Sequence, residues 1–218
     1  MHSDFWRDRW LSGQTGFHQL SADDCLVRHW RALALPPSSR VFVPLCGKSL
    51  DLLWLRDRGH SVVGIDLSDI ALQAFFAENG VAARRLVSPR SDLYAAAGLE
   101  CYRGDLFDLT RERLGRVAAI YDRASLISWS PELRDRYVEH LSALSGSGTQ
   151  TLLITLEYPQ AQTKGPPFSV DADEVRRLYS HHHSIEEMAR RDVLGREPRM
   201  RARGVSSLIE VCYLITRL

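Results

Sequence analysis

Between residues 40 and 156 the chain alternates between short β-rich apolar runs and amphipathic helical stretches, and few folds accommodate that rhythm. Arg40 to Pro44, Ser61 to Ile65, Leu99 to Arg103, Val117 to Tyr121 and Thr151 to Leu156 read as buried strands. Between them, Ser49 to Arg58 reads as a helix stopped by Gly59. Ser68 caps a second helix with apolar face Leu72, Phe75 and Phe76, which Asn79-Gly80 ends. A third opens at Ser130-Pro131; Leu133, Tyr137, Leu141 and Leu144 form its buried stripe, and Glu132, Arg134, Asp135, Arg136 and Glu139 its wet face. Such alternation predicts an α/β fold with a mostly parallel sheet and helices on both faces. After Asp171 and Glu174, spaced as a capping box, two longer strands near Ser184 to Val193 and Ser206 to Thr216 predict an antiparallel C-terminal pair. That makes seven strands. The front of the chain reads as two helical segments, one carrying Phe5, Trp6 and Trp10, the other from Ser21 to Leu33. No composition shift or linker interrupts 1–218, so one domain is expected.

Bulk properties exclude several classes. The 28 basic and 27 acidic residues leave a net charge of +1, without the positive footprint that nucleic-acid binding needs. No polybasic patch suggests a membrane surface, and no apolar run approaches the roughly 20 residues of a membrane span. Cys25, Cys46, Cys101 and Cys212 form no C-x-x-C pair and fit a reduced, cytoplasmic setting. The opening Met1-His2-Ser3-Asp4 does not read as a secretory signal. His181, His182 and His183 are adjacent and cannot converge on one ion, so no metal is expected.

Parallel sheets bind ligands beyond the carboxyl ends of their strands. The residues there are Pro44 to Ser49, Asp66, Asp105-Leu106, Asp122-Arg123 and Glu157-Tyr158-Pro159. Gly47 permits close backbone approach, and Asp66, 19 positions later, is spaced to accept two ribose hydroxyls; the alternative is that it only caps the following helix with Ser68. Gly47-Lys48-Ser49 resembles the end of a phosphate loop, but Phe42 stands where such a loop requires glycine, and no three-glycine dinucleotide motif is present. A nucleoside ligand without phosphates fits better, and S-adenosylmethionine is one.

Several segments, in order along nearly the whole chain, resemble the bacterial-type thiopurine S-methyltransferase family. They include Trp10 with Gly16-Phe17-His18-Gln19, Val41 to Ser49 with its Pro44-Leu45-Cys46-Gly47-Lys48 core, and Asp57 to Asp66. Leu106 to Leu109, Asp122 to Leu126, Gly165 to Phe168 and Tyr213 to Thr216 complete the set. The resemblance implies a Rossmann-like methyltransferase fold, with residues 1–36 as a helical cap over the cofactor. It assigns Trp10, Leu45, Asp66 and Arg123 to S-adenosylmethionine, with Gly47 bordering it and Asp105 and Leu106 beside the adenine. Phe17, Arg123 and Arg199 are assigned to the substrate. Asp66 stands where some relatives carry Glu, and Asp105 where some have an uncharged residue.

The implied reaction is methyl transfer to the sulfur of a small aromatic or heterocyclic thiol. It requires mainly in-line placement at roughly 3–3.5 Å. Arg123 and Arg199 would favour the thiolate. Asp122 would accept a proton, orient a water or pair with Arg123. Gly165 to Phe168 would form a lid or wall of the substrate pocket, or a rigid connector. Methylation of selenium or tellurium compounds and non-catalytic binding of S-adenosylmethionine are the alternatives. Nothing in the sequence demands more than a monomer.

Overall fold

The computed structural model describes residues 3–15, 18–88 and 91–218, with the side chains of Ser3 and Asp4 excepted. Two compact units divide the chain, Met1–Tyr121 and Asp122–Leu218.

The first unit begins with α1 (Ser3–Leu11) and α2 (Asp24–His29), the latter extended by a 3-10 turn over Trp30–Leu33. The strand and helix alternation then runs β1 (Arg40–Val43), α3 (Asp51–Arg56), β2 (Ser61–Asp66) and α4 (Asp69–Glu78). It continues with β3 (Arg84–Leu86), β4 (Asp92–Ala96), β5 (Leu99–Arg103), α5 (Arg111–Leu114) and β6 (Ala119–Arg123), whose last two residues open the second unit. The strand order here is β3-β4-β5-β2-β1-β6. β1, β2, β5 and β6 pair in parallel, with Val41 opposite both Val62 and Ala119 and Gly64 opposite Cys101. β3 and β4 add an antiparallel edge on β5. Ser68 caps α4 as expected, accepting from the Ala71 amide. α3 and α4 pack against β2. Phe42, Leu52, Leu55, Val62, Val63, Leu72 and Phe75 are fully buried there.

Buried polar groups tie the N-terminal helices to this core. The Asp51 carboxylate accepts from the Asp23 amide at 2.8 Å, the Ser49 hydroxyl at 2.9 Å and the Tyr121 hydroxyl at 3.2 Å. The Trp30 indole donates to His60 Nε2 at 2.9 Å, which requires that nitrogen to be unprotonated; burial accordingly pushes the His60 pKa down.

The second unit contains α6 (Pro131–Leu144), β7 (Gln150–Glu157), α7 (Ala172–Tyr179), β8 (His183–Asp192), α8 (Pro198–Ala202) and β9 (Ile209–Arg217). β9 lies between β7 and β8 and is antiparallel to both, as the tail of the sequence predicts. Asp171 caps α7 through the Glu174 amide at 2.9 Å.

Three expectations are corrected. There are nine strands among the described residues rather than seven, the hairpin β3–β4 supplying the other two: β3 is short, exposed and opens with two arginines, so no apolar run marks it. What holds it is tertiary, since buried Asp92 pairs with Arg85 at 2.6 Å and Arg103 at 3.5 Å. The strand expected at Val117 to Tyr121 is displaced by two residues, so Asp122 and Arg123 belong to its end. Arg134 is not on the wet face of α6 but is 1% exposed, in a stripe with Tyr137, Val138, Leu141 and Leu144. Its spacing suits that face, and hydrogen-bond acceptors on neighbouring segments allow the guanidinium to be buried. Among the described residues no helix is long and apolar enough to cross a membrane.

Candidate active site

Trp10 and Asp66, two of the residues that the resemblance assigns to the methyl donor, meet at Gly47 in the first unit. β1 ends in a tight turn, with Leu45 at φ +44° and Gly47 at φ +51°. The Cys46 amide bonds the Ile65 carbonyl at 3.0 Å, which lays this turn against the end of β2. The Asp66 carboxylate then accepts one amide per oxygen: Gly47 N–H on Oδ2 and Ser68 N–H on Oδ1, both at 2.8 Å. Asp66 therefore does organise the start of α4, as the capping alternative has it, yet only one lone pair on each oxygen is used. It is 9% exposed, and burial raises its pKa to about 6 against the opposing effect of the two amides.

Gly47 is required on two grounds. Its φ lies in the left-handed region, and an added Cβ would stand 3.0 Å from Trp10 Cζ2 and 3.9 Å from Asp66 Oδ2. A Gly47→Ala variant should lose about 1–2 kcal/mol of stability in urea denaturation. Its donor affinity should fall with it, because the indole of Trp10 must retreat from the turn.

Lys48, the residue that suggests a phosphate loop, is held by both Glu78 oxygens at 2.8 and 2.9 Å. Cys46 is buried beside Cys101; their hydrogen bond and burial push its thiol pKa well up, so it stays protonated and inert. Asp105 is exposed and accepts from the Phe107 amide at 2.9 Å, while Leu106 is fully buried under the same turn. A shallow recess beside them is lined by Ile65, Ser91, Asp105, Asp108, Leu109 and Arg113. Phe17 lies outside the described residues.

Asp122, Arg123 and Arg199, for which an acceptor-side role is expected, belong to the second unit. Asp122 is 0% exposed, accepting from the Tyr137 hydroxyl at 2.7 Å and the Leu126 amide at 3.1 Å; burial lifts its pKa to about 6. Next to it stand half-buried Arg123 and then Ala124 at φ +62°, where the chain turns sharply into a 3-10 turn over Leu126–Ser128. Arg199 is exposed on α8. Arg123 and Arg199 are both close enough to Glu197 to pull its carboxyl pKa down, although burial and Glu210 give it a net upward shift. Glu197 escaped sequence reading, since nothing in the Arg196-Glu197-Pro198-Arg199 run marks it as half-buried. Gly165 to Phe168 is bonded along its length. Tyr158 Oη donates to the Pro167 carbonyl at 2.6 Å, Arg203 Nη1 to that of Pro166 at 3.1 Å, and the Phe168 amide to that of Ile127 at 2.7 Å. Arg203 is thereby engaged with the loop.

A model of the family described as thiopurine S-methyltransferase (TPMT) matches residues 1–218. The chain belongs to the thiopurine S-methyltransferase family. It is 46% identical over 217 residues to the thiopurine S-methyltransferase of Xanthomonas campestris pv. campestris, covering 100% of both chains. To that of Nitrosospira multiformis it is 43% identical over 215 residues, 99% of this chain and 98% of the relative. Among solved structures it is similar to an S-adenosylmethionine-dependent methyltransferase from Thiobacillus denitrificans in complex with S-adenosylhomocysteine, with TM-score 0.66, 16% identity and coverage of 100% and 99%. A second is Burkholderia thailandensis 1,6-didemethyltoxoflavin-N1-methyltransferase, with TM-score 0.63, 16% identity and coverage of 99% and 87%. The fold of this family member is thus that of S-adenosylmethionine-dependent methyltransferases, and the family's methyl donor is S-adenosylmethionine. The residues at Gly47 fit such a donor. A buried carboxylate keeps free lone pairs for hydroxyl groups, a residue without a side chain stands next to it, and an indole lies alongside.

Proposed function

We propose that the protein methylates the sulfur of small aromatic or heterocyclic thiols as a thiopurine S-methyltransferase, using S-adenosylmethionine. The observation that carries this reading is the meeting of Trp10 and Asp66, the positions the family resemblance assigns to the donor, at the turn of Gly47. In this reading the whole chain serves as one catalytic domain, with residues 1–36 as a cap on the donor. It works as a monomer in the reduced cytoplasm, where Cys25, Cys46, Cys101 and Cys212 remain free, buried thiols.

Asp66 accepts the ribose hydroxyls, Gly47 and Leu45 border the amino-acid portion, Trp10 covers it, and Asp105 and Leu106 flank the adenine. When bound, S-adenosylmethionine supplies an electrophilic methyl carbon whose leaving group is a neutral thioether, so departure needs no acid. The task of the protein is therefore to hold the acceptor sulfur in line and as an anion. Phe17 stacks on the acceptor ring. Arg123 and Arg199 stabilise the thiolate by charge, and the thiol proton passes to solvent. Glu197 tempers that positive charge while no anion is bound.

A labelled methyl donor offered with a panel of aryl thiols, selenols and tellurium or selenium oxyanions tests the reading. Transfer to thiols at the highest kcat/KM supports it. Transfer only to selenium or tellurium compounds, or donor binding with no transfer, replaces it by one of the alternatives. Arg123→Ala should lower kcat/KM on the order of 100-fold below the acceptor's thiol pKa, with the deficit shrinking above it. A loss that is equal at every pH would remove the charge-stabilising role.

A further inference from the structure

The most deeply buried charge on α6 is bonded to the backbone of the acceptor side. Arg134 Nε donates to the Trp129 carbonyl at 3.1 Å, Nη2 to the Ser169 carbonyl at 3.1 Å, and Nη1 meets the Glu174 carboxylate at 2.5 Å. Its guanidinium carbon lies 5.9 Å from the centre of the Phe168 ring. Trp129 closes the turn that follows Arg123, and Ser169 directly follows the Gly165–Phe168 segment. The Phe168 amide on the Ile127 carbonyl is a second tie between the same two segments. Gly165 is packed so closely that a Cβ there would lie 2.6 Å from the Phe168 ring.

A buried arginine loses its hydration, and a hydrophobic residue of similar volume would fill the same stripe without that cost. The guanidinium offers instead a planar fork with fixed directions, which can hold two carbonyls and a carboxylate at set spacings. The Trp129 carbonyl closes the turn after Arg123, which the proposed function places at the acceptor, and the Ser169 carbonyl follows Gly165 to Phe168, the segment read from the sequence as a wall of the acceptor pocket or a connector.

We infer that Arg134 is a positioning residue for the acceptor. Through the Trp129 and Ser169 carbonyls it sets the distance between the Arg123 turn and the Gly165–Phe168 wall, and so determines which ring sizes are accepted. Glu174 orients the fork from α7. The inference rests on the methyl-transfer reading and extends it to specificity.

The test compares the full-length parent with Arg134→Lys, Arg134→Met and Glu174→Gln. Donor Kd comes from calorimetry, KM and kcat from a one-ring and a fused two-ring aryl thiol, and opening of the segment from hydrogen exchange at the Phe168 amide. In the folded Arg134 variants donor Kd should stay within about twofold, while acceptor KM rises about tenfold and the preference between the two thiols changes about fivefold. The Phe168 amide should exchange about tenfold faster. Glu174→Gln, which keeps a hydrogen-bond acceptor, should lie between parent and Arg134→Lys. Unchanged ring-size preference in a folded Arg134 variant overturns the inference, as does equal weakening of donor and acceptor. Should Arg134→Met not fold, Arg134→Lys and Glu174→Gln decide by the same criteria. Failure of the methyl-transfer reading would show in the parent itself, which would then transfer no label.

Discussion

Asp66→Ala should reduce affinity for S-adenosylmethionine at least 100-fold, to no measurable heat at concentrations that saturate the parent. A hydrogen bond to a charged acceptor is worth about 1.5–3 kcal/mol, and the variant loses those to the ribose. It also loses the carboxylate that pins the Gly47 and Ser68 amides, so the turn under Trp10 is no longer held. The parent should show two opposite pH dependences, because burial raises the Asp66 pKa from 3.8 to about 6. Ribose hydroxyls need the ionised form, so donor affinity should fall as pH drops through about 6. Stability without donor runs the other way. A carboxyl with a raised folded-state pKa contributes fully below its unfolded value, and that contribution is lost as pH rises through about 6. Asp66→Asn should abolish the first dependence and reduce the second, with Asp122 supplying what remains. Calorimetric titrations and urea unfolding from pH 5 to 8 measure both. Undiminished donor affinity in Asp66→Ala would overturn the role of this carboxylate.

Asp122→Ala should destabilise the protein by about 2–5 kcal/mol, since the Tyr137 hydroxyl and the Leu126 amide would each be left buried without an acceptor. Activity should collapse with it, because the same carboxylate fixes the turn that presents Arg123. Asp122→Asn separates this positioning role from proton transfer. Its amide oxygen can still accept from Leu126, and Tyr137 can rotate to accept from its NH2 group. It should cost only about 1 kcal/mol and keep most of kcat. A group that takes the thiol proton would give the reverse pattern, with Asn stable but as inactive as Ala. The complete burial of Asp122 favours positioning. Thermal or urea unfolding alongside kcat for the two variants distinguishes the roles.

The amino-acid order alone determined the elements whose cause is local. β1, β2 and β7 lie where β-branched apolar runs place them, β5 lies at the expected Leu99 to Arg103, and Ser68 and Asp171 cap the helices that follow. The chain also carried in its order the pairing of Gly47 with Asp66, because a parallel sheet brings successive strand ends to one edge. What only the tertiary structure decided concerns charged residues whose environment is set by distant partners. Arg134 stands at a core-face spacing on α6, but its charge assigns it to solvent, and acceptors at Trp129, Ser169 and Glu174 make it a core residue. Arg84-Arg85-Leu86 became a strand because Asp92 and the open edge of β4 receive it. Asp122 can be expected at a strand end from the sequence, but its bonds to Tyr137 and Leu126 come from partners distant along the chain or in the following turn. Hydrophobic period and capping are short-range and can be read along the chain; the desolvation of a charge depends on which acceptors folding brings to it, and no local pattern records that.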